Sequence, residues 1–108
     1  MPIRWIDAGK VSALRSQSIY HGLGYAQKDG TENTIVLATP ESPYMCIGHF
    51  QDARNELDLE FCKKQNLPII RRETGGGTVY IDSDQLFVQW IFQRGYLPPK
   101  VEHRFQFF

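Results

Sequence analysis

Three consecutive glycines, Gly75-Gly76-Gly77, sit between two segments that each read as a β-strand. Glycine loses more backbone entropy on folding than any other residue, and a simple hairpin needs one or two of them. A third signals that something must approach the backbone closely, with N–H groups left free to meet it. Successive free N–H groups form a concavity suited to an anion. Arg71 and Arg72 stand at the entrance, with charge that pairs bidentately with phosphate or carboxylate. Thr74 and Thr78 place hydroxyls at the rim. Adjacent strand residues point to opposite faces, so one arginine faces the ligand and the other pairs with a carboxylate or solvent. No Gly-Lys-Ser/Thr follows, which excludes a Walker loop, and the glycine spacing excludes a dinucleotide fingerprint. The competing reading is a plain glycine-rich hairpin with solvated arginines.

The rest of the chain reads as alternating short strands and helices. Arg4–Asp7 predicts a first strand broken by Ala8-Gly9. Between Lys10 and Lys28 the apolar residues Val11, Leu14, Ile19, Leu23 and Ala26 approximate one helical face. Gly22 and Gly24 weaken that helix by about 1 kcal/mol each, which suggests close packing against a sheet. Thr34–Thr39 and Tyr44–Gly48 predict strands on either side of a Pro40–Pro43 turn, and Phe50–Asn55 predicts a polar connection. Leu57–Gln65 predicts a short helix capped by Asn55 or Asp58, with Asn66 as its stop. Strands follow at Pro68–Arg72, Thr78–Ile81 and Gln85–Gln93, and Pro98-Pro99 opens a last helical segment. Short connections favour antiparallel pairing. The expected class is α+β: a mixed, largely antiparallel sheet with helices packed on one face.

Composition bounds the function. The chain has 108 residues, 42% hydrophobic, 22% charged and formally neutral. That is an ordinary globular composition, and it shows no basic excess for a nucleic acid or a lipid headgroup. No run of about 18 apolar residues predicts a membrane span, and MPIRWIDAGK lacks a signal peptide's apolar core. Cys46 and Cys62 have fifteen residues between them, which fits no metal template. Both are expected as buried packing thiols in a reducing, cytoplasmic compartment.

Arg71-Arg72-Glu73-Thr74-Gly75-Gly76-Gly77-Thr78-Val79-Tyr80-Ile81-Asp82 resembles the central motif of the lipoate–protein ligase A family. Ile47-Gly48-His49-Phe50-Gln51 followed by Glu56 resembles that family's Ile-Gly-x-x-Gln…Glu segment. Asp82 and Gln85-Leu86 sit where the family places Asp-x-x-Asn-Leu. The resemblance implies a biotin/lipoate ligase catalytic domain, related in fold to class II aminoacyl-tRNA synthetases. It implies activation of lipoate or octanoate with ATP and Mg2+ to an acyl-adenylate, then transfer to a lysine of a carrier domain. Carriers of this kind belong to the 2-oxoacid dehydrogenases and to the glycine-cleavage H protein. Sister enzymes instead take octanoate from acyl carrier protein. Biotin is disfavoured, because the charged Gly-Arg-Gly type of loop is absent from this chain.

Carried over residue by residue, the resemblance places Arg72, Thr74, Gly75, Gly76, Gly77, Thr78, Val79 and His49 against the adenylate. Arg71, Gln51, Glu56 and Asp82 support them, and no metal ligand is nominated. Tyr80, Phe87, Val88 and Trp90 are candidates for an acyl tunnel, or simply for core. Two departures stand out. Ile81 occupies the place where many relatives carry His, so a polar role there is lost or moved. Residues 1–108 are expected as the N-terminal part of one such domain, with the lysine that grips the activated carboxylate beyond Phe108. Lys63, Lys64 and Lys100 lie in no matching motif. Some relatives use a separate small accessory domain. A truncated, non-catalytic ligand- or partner-binding domain is the third reading.

Overall fold

The computed structural model describes residues 2–93. Six strands and three helices follow in the order β1 (Ile3–Val11), α1 (Ala13–Tyr25), β2 (Asn33–Pro40), β3 (Tyr44–Ile47), α2 (Ala53–Glu56), α3 (Leu59–Lys64), β4 (Ile69–Arg71), β5 (Val79–Ile81) and β6 (Phe87–Ile91). The class is α+β, and the expected single mixed sheet is divided into two. One sheet has the order β1-β2-β6 and the other β4-β3-β5. Each contains one parallel and one antiparallel pair: β1 and β4 run parallel to the central strands β2 and β3, while β6 and β5 run antiparallel to them. The parallel pairs follow from the helical crossovers, α1 in the first sheet and α2–α3 in the second.

β2 is central and buried along most of its length, which explains its nearly continuous apolar and β-branched run. β1 does not stop at Ala8-Gly9. Its register to β2 shifts between Asp7 and Gly9, and Gly9 takes φ +65 with its N–H on Asp7 Oδ1 at 3.0 Å. The glycine makes a β-bulge rather than a break. The connection after Phe50 is not wholly irregular either, because Asp52 caps α2. Of the two caps expected for the next helix, Asp58 is the one used: its side chain accepts from the Phe61 N–H of α3. Asn66 ends that region with φ 54, the left-handed conformation an asparagine tolerates. The segment expected to begin at Pro98-Pro99 lies outside the described residues.

α1 turns a different face inward from the one its apolar spacing suggests. Its buried residues are Ala13, Ser16 and Gln17, while Leu14 is 64% exposed. The reason is tertiary. The first turns of α1 lie where the two sheets meet, and small side chains allow that approach. Ala13 packs with Tyr44 and Cys46 of β3, Ile81 of β5 and Phe87 of β6. Tyr44 is fully buried. Its hydroxyl sits 2.6 Å from Ser16 Oγ and accepts from Gln17 Nε2 at 2.9 Å. Gln89 of β6 donates to the Ser16 carbonyl at 2.8 Å. The Tyr44 hydroxyl, Ser16 Oγ, Gln17 Nε2 and Gln89 Nε2 are thus paired across three elements, while Gln89 Oε1 is buried without a partner among the described residues. Gly22 and Gly24 are not sites of close packing, since a Cβ on either would meet open space.

Candidate functional site

The two arginines separate to opposite sides, as strand alternation requires. Arg71 donates to the backbone carbonyls of Gly48, His49 and Gln51, at 3.3, 3.0 and 2.5 Å. It therefore braces the turn after β3. Arg72 faces the glycine loop. Its Nη2 donates to the Gly75 carbonyl at 3.1 Å and the Gly77 carbonyl at 2.7 Å, and its Nη1 lies 3.7 Å from Cys46 Sγ. The guanidinium thus engages the loop's carbonyls. The amides of Gly75, Gly76 and Gly77 donate no hydrogen bond among the described residues. Free amides beside a fixed cation are the arrangement that favours an anion.

Only the middle glycine has a conformation that demands one, with φ +112. A second glycine outside the triplet is also required. A Cβ on Gly48 would fall 2.3 Å from the Gly76 carbonyl oxygen. Gly48 and the triplet are in backbone-to-backbone contact, so the loop rests on the turn after β3. Gln51 bolts the two together, because its Oε1 accepts from the Gly48 N–H at 2.8 Å and from the Thr78 hydroxyl at 3.0 Å. The His49 N–H adds a bond to the Thr74 carbonyl at 2.9 Å.

A pocket of about 370 Å³ opens beside this loop, within the size range of small-molecule sites. Arg72 and Thr74 supply one wall and Gln17 and Tyr20 of α1 another, while Ile81 and Phe87 contribute apolar surface. Cys46, Val79, Leu86, Val88 and Gln89 complete it. Burial pushes the Tyr20 phenol above its ordinary value, against the opposing pull of a hydrogen bond from Thr74 and of the Arg72 charge. The Tyr20 hydroxyl donates to Gln17 Oε1 at 2.7 Å, so the α1 wall is ordered by its own hydrogen bonds. Cys46 and Cys62 are both free and buried, as their role in packing requires.

Of the sequence-nominated residues, Arg72, Thr74 and Val79 line the pocket, and the three glycines are not part of its lining. Thr78 and Gln51 lock the loop. His49 is exposed, its ring edge-on to Phe50 at 4.8 Å. Glu56 ends α2, exposed. Asp82 organises the turn before β6, accepting from the Asp84 N–H at 2.9 Å. Among the tunnel candidates, Phe87 and Val88 line the pocket, while Tyr80 and Trp90 lie outside its lining and are about half exposed. Sequence reasoning missed Gln17, Tyr20, Cys46 and Gln89. No local signal marks them, because α1 reaches the loop across some fifty residues of chain. Among the described residues, no three of His, Cys, Asp or Glu gather as a metal site, and no helix is long and apolar enough to cross a membrane.

The chain matches the lipoyl protein ligase A/B catalytic domain over residues 5–108. It belongs to that family. A lipoate–protein ligase of Streptococcus pyogenes serotype M5 is 37% identical over 70 residues, covering 52% of this chain and 21% of that protein. Lipoate-protein ligase A subunit 1 of Thermoplasma acidophilum is 34% identical over 77 residues, covering 71% and 28%. The octanoyltransferase LipM of Anoxybacillus flavithermus is 33% identical over 82 residues, covering 75% and 30%. Among solved structures, a lipoate-protein ligase A bound with ATP superposes with a TM-score of 0.73 at 28% identity, over 80% of this chain and 35% of that one. A putative T. acidophilum lipoate protein ligase with bound lipoic acid gives 0.72 at 29% identity, over 80% and 36%. The fold is therefore that of the lipoate ligases, of the class II synthetase-like type. The chain spans roughly a fifth to a third of the length of these curated relatives.

Proposed function

We propose that this chain is the acyl- and adenylate-binding part of a lipoate–protein ligase, N-terminal within a single catalytic domain that continues outside it. The observation that carries this reading is the pocket that joins Arg72, which is bonded to the glycine loop, and Thr74 to the apolar surface of Ile81 and Phe87. An acyl-adenylate has the same two ends: a charged phosphate beside a polarised carbonyl, and an aliphatic tail. The amides of Gly75–Gly77 hold the phosphate and acyl oxygens, and Arg72 both neutralises them and fixes the loop that presents the amides. Fixed dipoles aimed at developing charge need no reorganisation as the reaction proceeds. Val79 and the β5–β6 wall take the tail out of water. His49 stands at the outer rim, while Arg71, Gln51, Glu56 and Asp82 act on the framework.

ATP supplies the adenylyl group and leaves pyrophosphate. Mg2+ comes with the nucleotide, since it is commonly bound through substrate phosphates and retained waters. A lysine outside the described residues completes the grip on the activated carboxylate. The acceptor is a lysine of a lipoyl carrier domain, of a 2-oxoacid dehydrogenase or of the glycine-cleavage H protein. The solved archaeal bi-partite ligase described with its E2 lipoyl domain supports such a partner, and a separate accessory domain as well. Two buried free thiols suit a cytoplasmic setting.

Titration calorimetry of the chain with a non-hydrolysable lipoyl-adenylate analogue tests the site. Arg72→Ala should weaken binding at least tenfold, and equal affinity would show that Arg72 does not hold the anion. Octanoyl transfer from acyl carrier protein is the second reading, favoured by the LipM relatives. The complete protein separates the two. A ligase acylates the carrier domain from free lipoate only with ATP, whereas a transferase works from octanoyl–acyl carrier protein without it. ATP–pyrophosphate exchange by the 108-residue chain alone would show that it is more than a binding part.

A further inference from the structure

His21 and Tyr25 lie four residues apart in α1 and so share one face of the helix. Both meet Glu73, the residue between Arg72 and Thr74. His21 Nε2 accepts the backbone N–H of Glu73 at 3.2 Å. An accepting Nε2 requires neutral imidazole with its proton on Nδ1. The Tyr25 hydroxyl donates to the Glu73 carboxylate. The Tyr20 ring lies 4.1 Å from that of His21. Two residues of one helix thus hold the entrance of the glycine loop, one by main chain and one by side chain.

Core packing does not account for this. The buried residues of α1 all precede Tyr20, and Tyr25 is 77% exposed. Gly22 and Gly24 sit in open space within the same stretch. Each glycine costs the helix about 1 kcal/mol relative to alanine. A half-helix with little burial and two glycines opens readily unless something ties it down. In this chain the tie runs to the residue that spaces Arg72 from Thr74.

We propose that His21 and Tyr25 are positioning residues for the anion site. The second half of α1 is a strap that, through Glu73, holds Arg72 and Thr74 in place at the pocket wall. The identity of the ligand rests on the lipoate-ligase reading of the pocket, but the strap itself does not.

Native-state hydrogen exchange on the full chain tests it through two amides the variants do not touch. The Arg72 amide bonds to the Ile47 carbonyl and the His49 amide to the Thr74 carbonyl. In Tyr25→Phe and in His21→Ala, both should exchange at least fivefold faster. His21→Gln, which restores an acceptor, should return toward the wild-type rate. Glu73→Gln keeps the backbone bond and weakens only the Tyr25 contact, so it should fall between. Unchanged exchange at both amides in folded Tyr25→Phe and His21→Ala proteins would overturn the strap. Binding of the lipoyl-adenylate analogue is read in parallel and should weaken about fivefold in both variants. If wild-type protein fails to bind the analogue while exchange responds as expected, the functional reading falls and the strap stands.

Discussion

At the residue scale, the glycines of this site are not equivalent. Gly76 alone of the triplet has a positive φ, and Arg72 Nη2 would lie 2.8 Å from a Cβ there. Gly76→Ala should therefore cost about 1–3 kcal/mol, the usual penalty for a non-glycine residue in such a conformation. Gly75→Ala and Gly77→Ala meet open space and should stay within about 0.5 kcal/mol of wild type. Gly48→Ala drives a methyl into backbone, which cannot yield as a side chain can. It should cost at least as much as Gly76→Ala, on the order of 1–3 kcal/mol or more for overpacking. Urea unfolding of the four variants checks this order, and a Gly48→Ala protein as stable as wild type would refute the close contact. The phenol of Tyr25 is held above its ordinary value, first by its hydrogen bond to Glu73 and then by that carboxylate's charge. A raised folded value means the contact stabilises fully below the unfolded tyrosine value and is lost as pH rises through the folded one. Absorbance titration should show Tyr20 and Tyr25 ionising late, and Glu73→Gln should bring only Tyr25 back toward normal.

At the element scale, the strand and helix segments were largely legible because local signals and burial agree. The β-branched run of β2 suits a strand covered on both faces, and Asp58 caps α3 as its position suggests. Asp58→Ala should remove about 0.5–2 kcal/mol of stability, read from thermal or urea unfolding. α1 was legible as a helix but not in its orientation. Periodicity counts apolar residues, whereas this helix is oriented by Ser16 and Gln17, which bond to Tyr44 from the other sheet. Ser16 Oγ donates to the Ala13 carbonyl at 2.7 Å, so the Tyr44 hydroxyl donates to Ser16 and accepts from Gln17. Tyr44→Phe leaves the Gln17 donor unpaired in the interior and should cost about 1–3 kcal/mol. A loss much below that would mean the junction is held by packing alone. The bulge at Asp7/Gly9 was not legible either, because a glycine signals a break and a bulge alike until its neighbour strand is known.

At the scale of the whole molecule, the pocket belongs to no single element. The loop after β4, the face of α1 and strands β3, β5 and β6 each contribute, from residue 17 to residue 89. Its apolar side sets a further expectation. Burying one methylene contributes about 0.8 kcal/mol, so affinity for acyl-adenylate analogues should rise roughly fourfold per added methylene until the pocket is filled. Titration of an acetyl-to-decanoyl series measures this, and a flat series would exclude the β5–β6 wall as the tail site. The residues along Arg71–Asp82 announced the family without any structure and prompted the anion loop proposed here, because glycine conformation and arginine charge are properties of the residues themselves. The division of labour between Arg71 and Arg72, the dependence of the loop on Gly48 and the arrival of Gln17, Tyr20 and His21 at the site were decided only by the tertiary structure. They depend on distances between segments far apart in the chain. Those distances follow from how two sheets pack around one helix, which no local pattern encodes.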